Sequence, residues 1–264
     1  MEVIGYLAAI LIGLSLGLIG GGGSILTVPV LVYLVGVEPV LATAYSLFVV
    51  GTTALIGAIS KYRRGLVSIK TAAVFAVPSF VAVYITRAFI VPAIPETIFS
   101  LGSFTLTKDI AIMVFFAVIM LIASLSMMRK RKGGVSNEGE ELIFNVPMIV
   151  LEGVVVGVLT GLVGAGGGFL IIPALVLFAR LPMKLAVGTS LTIIAVKSLI
   201  GFLGDLQGGQ VIDWTFLSLF TAMAVIGIFL GNYLTRFISG QKLKKGFGWF
   251  VLVMAVYILL KELL

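Results

Sequence analysis

The chain has no cysteine and no histidine in 264 residues. Disulfide frameworks, thiolate or imidazole metal sites and histidine-based catalytic triads are therefore excluded, and any chemistry falls to Lys, Arg, Asp, Glu, hydroxyls or backbone. No metal or other cofactor is expected. Charge is also scarce, at 11% of residues against about 25% in ordinary soluble domains. The net charge of +7 sits in short clusters between apolar stretches, which marks it as a topology signal and not a nucleic-acid footprint. What fills the chain instead is hydrophobic side chains, 60% of the total. An all-α integral membrane protein follows, with the lipid bilayer as its solvent.

One unit appears twice. Gly17–Pro29 carries the glycine cluster Gly20, Gly21, Gly22 and Gly23, and Gly161–Pro173 carries Gly164, Gly166, Gly167 and Gly168. The two prolines are 173 − 29 = 144 positions apart, and the same offset pairs Leu31 with Leu175, Ala42 with Ala186, Ser46 with Ser190, Gly57 with Gly201 and Gly65 with Gly209. Apolar halves interrupted by glycine at matching positions point to a repeat-built transporter whose site lies at the interruptions.

Full-length apolar spans run through 40–60, 66–91, 109–128, 185–204, 211–236 and 246–263. The stretches 3–19 and 147–163 instead run into a glycine cluster and then into a short piece, 24–36 or 168–179. About 12 helical residues reach only about 18 Å, too little to cross upright. Each motif therefore reads as a hairpin: a helix in, a glycine turn within the membrane, and a short helix back, beginning at Ser24 or Gly168. The predicted architecture is two repeats, residues 1–128 and 147–264, each a glycine-broken hairpin plus three transmembrane helices. They are joined by a polar linker, 129–146, that carries Glu138, Glu140 and Glu141. The connection 92–108 is expected to lie along the outer interface.

Basic clusters orient the spans. Lys61, Arg63 and Arg64, the run Arg129–Lys132, Arg180 with Lys184, and Lys242, Lys244 and Lys245 can all be cytoplasmic only if the second hairpin enters and leaves by the inner face. The halves are then inverted relative to each other and both termini are extracytoplasmic. No basic segment precedes the first apolar stretch, so the N-terminus is expected to remain in the mature protein.

Candidate binding residues follow from this scheme. Glycine turns survive in the membrane only against protein or a water-filled cavity. The helix that follows each turn aims free N–H groups and about half a positive charge inward, which suits an anion. Glycines that merely allow close packing are the alternative, and duplication at equivalent positions favours a site. Gly21, Gly22, Gly23 and Ser24 would form one side of it, and Gly166, Gly167 and Gly168 the other. Lys197 lies in the apolar run Ile193–Ile200, where an unpaired ammonium costs ~3 kcal/mol or more, so an anionic substrate or a structural partner such as Glu152 must compensate it. Thr53 is its counterpart by offset. Most membrane hydroxyls bond their own backbone; Ser46 and Ser190 are expected exceptions because they recur at one repeat position. Pro29 and Pro173 kink the short helices or shape the cavity. Arg87 and Arg236 read as interfacial snorkellers, and Asp205 and Asp213 as solvated. An intramembrane hydrolase with Lys197 activating Ser198 or Ser190 is disfavoured, because adjacent residues project about 100° apart on a helix; no enzyme is expected.

The paired glycine–proline motifs, each followed by a small, hydroxyl-rich span (Ala42–Ser46 and Val187–Ser190), resemble the TauE/SafE family of membrane transporters along nearly the whole chain. That resemblance implies export of sulfite or an organosulfonate across the cytoplasmic membrane of a bacterium or archaeon. Lys197 stands where the family more often carries a neutral polar residue such as Asn. A secondary exporter working by alternating access is the leading expectation. A passive anion channel or a non-transport membrane protein is the alternative, and self-association is left open.

The lack of native cysteine makes the topology directly testable. Single Glu2→Cys and Leu263→Cys variants should react with an impermeant maleimide on intact cells, and Asn137→Cys only after permeabilisation. Labelling of position 137 from outside would reject the inverted scheme.

Overall fold

The computed structural model describes residues 2–101, 104–128, 146–164, 166–168, 171–172, 175, 181–207, 209–234 and 240–263. Among the described residues, eight long helices carry the fold: α1 Glu2–Ile19, α2 Pro39–Tyr62, α3 Ile69–Ile85, α4 Lys108–Met128, α5 Val146–Val163, α6 Met183–Gln207, α7 Trp214–Leu234 and α8 Gly240–Leu263. Among the described residues, five segments long and apolar enough to cross a membrane lie within or overlap α2, α3, α4, α6 and α7, and the longest of them, Ile69–Ala93, extends α3 through a π-helical turn at Thr86–Ile90. Large apolar side chains face outward along the bundle, among them Leu11, Phe89, Ile122, Leu151 and Val253, each more than half exposed. A water-soluble surface does not carry so much apolar area, and a lipid-facing one requires it.

The first hairpin forms as expected. The chain reverses at Gly20, whose φ of +75° only glycine adopts without strain. It then returns antiparallel to α1, with Gly23 against Ser15 and Leu16 and Val35 against Gly5. The returning arm differs in one respect: winding resumes as a 3-10 turn at Gly20–Leu26, upstream of Ser24, then passes through Thr27–Pro29 into a π turn, Val30–Val35, that ends at the left-handed Gly36. Most of the second returning arm, including Pro173, lies outside the described residues, as do Arg180, Arg236 and the 129–145 part of the linker. The 92–108 connection holds a feature absent from an all-helical expectation, an antiparallel hairpin of β1 Thr97–Leu101 and β2 Phe104–Thr107. Its alternating Thr, Ile, Phe and Leu residues suit a short strand better than a continued helix.

Packing runs mainly between the halves. α1 lies on α7, α3 on α5, α2 on α6 and α4 on α8, and further contacts join α3 to α6 and α2 to α7. Every one of these pairs joins an element of 1–128 to one of 147–264. Individual contacts repeat across the offset: a Cβ on Gly57 would meet Leu191 and Ile228, and one on Gly201 would meet Leu47 and Val83. Hydrogen bonds repeat as well. The Ser68 N–H, at the head of α3, donates to Thr189 Oγ1 at 2.9 Å, while the Asp213 N–H, at the head of α7, donates to the Tyr45 hydroxyl at 2.8 Å. Asp213 Oδ1 also caps α7 by accepting from the Phe216 N–H at 3.0 Å.

Small residues let these helices approach closely, as membrane helices require when no water drives them together. Gly13 and Gly17 of α1 meet the backbone of Ala224 through Asn232 on α7, and Gly157 of α5 meets Ser79 on α3 in the equivalent place. A Cβ on Gly13 would overlap the Ala224 carbonyl. Gly13→Val should therefore destabilise the protein by about 1–3 kcal/mol. The check is the melting temperature in detergent against a Gly246→Ala control, where nothing approaches within 4 Å. Equal melting temperatures would contradict this packing.

Candidate substrate site

The two glycine turns touch. A Cβ on Gly21 would lie 2.5 Å from the Gly168 Cα, and a Cβ on Gly168 would overlap the Gly21 backbone in return. Each turn also rests on the helix that follows the other: Gly20 on Val187 of α6, and Gly164 on Thr43 of α2, positions related by 187 − 43 = 144. In the second turn Gly164, Gly166 and Gly167 all have positive φ, between +61° and +71°. A side chain there would cost about 1 kcal/mol per residue in backbone strain alone.

Around this contact the helices supply side chains in stripes. On α2, Ser46, Val50 and Thr53 fall at i, i+4 and i+7; on α6, Ser190, Ile194 and Lys197 do the same. Val50 and Ile194 both meet Gly166, and Ile194 also meets Gly21. The polar members of each stripe thus lie about one helical turn on either side of the glycine contact. Ser24, fully buried, donates to the Gly21 carbonyl at 2.7 Å and ties the first turn together; Gly22 and Gly23 complete that turn.

Lys197 is fully buried, and its ammonium donates to Thr160 Oγ1 at 2.8 Å. Both groups lie against Gly167, where a Cβ would stand 2.8 Å from Nζ. Among the described residues no carboxylate lies within 4 Å of this ammonium, Glu152 included. Ser46 Oγ, Thr53 Oγ1 and Ser198 Oγ are buried without a hydrogen-bond partner among the described residues. Ser190 differs from its expected role, because its hydroxyl donates to the Val187 carbonyl at 2.9 Å, within its own helix. The structure therefore brings together Gly21, Ser24, Gly166, Gly167, Gly168 and Lys197, leaves Ser46 and Thr53 unpartnered on the α2 stripe, and turns Ser190 to its own backbone.

Two features escaped the sequence reading. Thr160 is the first, four residues before the glycine cluster and aligned with the apolar Leu16. The second corrects two expectations at once: Arg87 is not at a lipid interface and Asp205 is not solvated. Both are buried, at 1% and 3% exposure, with Arg87 Nε 3.3 Å from Asp205 Oδ2. Opposite charges on spans that end on the same side of the bundle were the available signal. An apolar groove of about 760 Å³, lined by Val77, Pro78, Val81, Val150 and Val154, opens on the outer surface between α3 and α5 and includes none of these polar residues.

Comparison with known proteins agrees with the membrane architecture. Residues 5–258 match the family model described as sulfite exporter TauE/SafE. A probable membrane transporter protein of Xylella fastidiosa (strain 9a5c) is 30% identical over 253 residues, covering 94% of this chain and 91% of that protein. The probable membrane transporter protein YunE of Bacillus subtilis is 28% identical over 261 residues, covering 88% and 89%. A probable membrane transporter protein of Methanocaldococcus jannaschii is 32% identical over 123 residues, 44% of this chain and 46% of that protein. No solved structure matches. With its length matched almost end to end, the chain belongs to the TauE/SafE family of membrane transporters.

Proposed function

We propose that this protein is a secondary transporter that exports a small sulfur-containing anion, of the sulfite or organosulfonate class, across the cytoplasmic membrane by alternating access. The observation that carries the reading is the Lys197 ammonium, buried beside the glycine turns with a neutral hydroxyl as its hydrogen-bond partner. A cation in that position costs ~3 kcal/mol or more without an anion to offset it, and a substrate anion would supply the missing charge. The family description, sulfite exporter, supports the substrate class.

Residues 1–128 and 147–264 act as inverted repeats related by a two-fold axis in the membrane plane. Reciprocal packing of α1 on α7 and α5 on α3, and the paired contacts of Gly20 with Val187 and Gly164 with Thr43, support this assignment. The anion lies between Gly21–Ser24 and Gly166–Gly168, held by turn N–H groups and Lys197, with Ser46, Thr53 and Ser190 on the flanking helices. Because Gly21 and Gly168 are in contact here, the turns must part to admit substrate, as when one repeat rocks against the other.

Replacing Lys197 tests the reading. Lys197→Met removes a cation that has no carboxylate partner among the described residues, so the protein should stay folded with an unchanged or higher melting temperature. Sulfite affinity should fall about tenfold or more, equivalent to one lost contact of about 1.4 kcal/mol. A variant that transports sulfite in proteoliposomes with wild-type affinity would remove Lys197 from the site.

Gly167→Ala probes the same place from the backbone. Its methyl would press on Lys197 Nζ and Thr160 Oγ1 in a left-handed conformation. The expected outcome is a fall in anion affinity together with a stability loss of about 1–2 kcal/mol. Isothermal titration and thermal unfolding of the purified variant report the two effects separately.

A further inference from the structure

The buried pair at the far end of the bundle has a composition that the central site does not explain. Arg87 sits on the π-helical turn Thr86–Ile90, whose wider winding marks a departure from regular α-helix of the kind often found at functional sites. Its counterpart by repeat position, at an offset of 145 that also pairs Ser68 with Asp213, is the neutral Asn232, and the residue aligned with Asp205 at 144 is Lys61. The repeat-related positions Asn232 and Lys61 hold no equivalent pair of opposite charges, so repeat symmetry does not account for it.

A guanidinium presents five N–H donors in a planar fork. Here Nε stands 3.3 Å from Asp205 Oδ2 as an ion pair without a hydrogen bond, and Nε, Nη1 and Nη2 are all buried with no hydrogen-bond partner among the described residues. Burying so many unpaired donors is costly, and one carboxylate oxygen at 3.3 Å does not satisfy them. Gly204 lets α6 approach the Arg87 segment closely: a Cβ there would stand 3.0 Å from Arg87 Cβ. Asp205 lies 205 − 197 = 8 residues beyond Lys197, about 12 Å along the same helix. Between them Gly201 is closed over by Val83 and Leu47.

We infer that Arg87 is a second anion site, distinct from Lys197, which binds a small oxyanion through its Nη1–Nη2 edge against the charge of Asp205 beside Nε. The planar fork matches two oxygens of one oxyanion, which a point charge does not do. Asp205 opposes this binding through its charge: the carboxylate beside Nε offsets the guanidinium and repels an oxyanion at the Nη1–Nη2 edge. Val83 and Leu47 on Gly201 separate the two positions, so an anion leaving Lys197 towards this end of the bundle meets Arg87 next. The assignment of Arg87 stands on its own geometry. Only its place on an export path rests on the function proposed above.

Sulfite binding by the full-length protein in nanodiscs, in chloride-free buffer, tests the assignment in a Lys197→Met background that isolates the second site. Adding Asp205→Asn removes the opposing charge, and sulfite affinity should rise about tenfold, with sulfite restoring any melting temperature lost by breaking the pair. A purely structural ion pair predicts the opposite, a less stable protein with no gain in affinity, and that result overturns the inference. Arg87→Lys is the companion variant. It keeps a cation for Asp205 but loses the fork, so affinity should fall at least tenfold in a protein of near-normal stability, and unchanged affinity would equally overturn the inference. Wild-type affinity in Lys197→Met alone would count against the central site only, which keeps the two proposals separable.

Discussion

Backbone polar groups cannot go unpaired in hydrocarbon, and this constraint governs the whole molecule. The glycine turns at Gly20 and Gly164 leave the regular helix within an apolar chain, and such turns persist only where protein covers them. The cover is each other: Gly21 lies against Gly168, and each turn is backed by the helix following the opposite one. Close contact of this kind requires hydrogen in place of a side chain on both sides, which explains why glycine recurs in both clusters and why either cluster alone would be exposed.

From that contact the rest of the arrangement follows. Turns that meet face to face bring α2 and α6 together behind them, and those helices carry the paired stripes with Val50 and Ile194 at the point of contact. Polar residues one turn away are then held at fixed places about the junction. Lys197 differs from Thr53 at the equivalent place, so a nearly symmetric frame carries charge on one side only. Arg87 and Asp205 add a second asymmetry, confined to the end of α3 remote from Lys61.

Much of this was legible from residues alone. The 144-residue offset identified the duplicated unit, the length of the piece after Gly23 demanded a reversal, and Lys197 stood out by its apolar neighbours. Local winding was less accessible. Sequence placed a helix start at Ser24, whereas a glycine run with freedom at φ already winds as a 3-10 turn from Gly20. The hydroxyl of Ser190 could not be distinguished from that of Ser46, since rotamer choice decides whether it meets its own carbonyl. Pairing of Arg87 with Asp205 spans 205 − 87 = 118 residues, and no local pattern reports so distant a partner. Thr160 was hidden for the opposite reason, because a single hydroxyl in an apolar helix is ordinary until a lysine is found beside it.

The exchange of helices between halves has a consequence for biogenesis. Since α1 is completed by α7 and α3 by α5, the first half leaves the ribosome with its main packing surfaces uncovered. The contacts that close them lie 157 − 79 = 78 residues apart between Gly157 and Ser79 and 224 − 13 = 211 apart between Ala224 and Gly13, the long-range topology in which loop closure is slow and partly built states are vulnerable to misassembly. In the bilayer, lipid covers those small-residue faces until the second half inserts. Residues 1–128 therefore cannot complete their core by themselves, and their packing surfaces close only once α5 to α8 are in place.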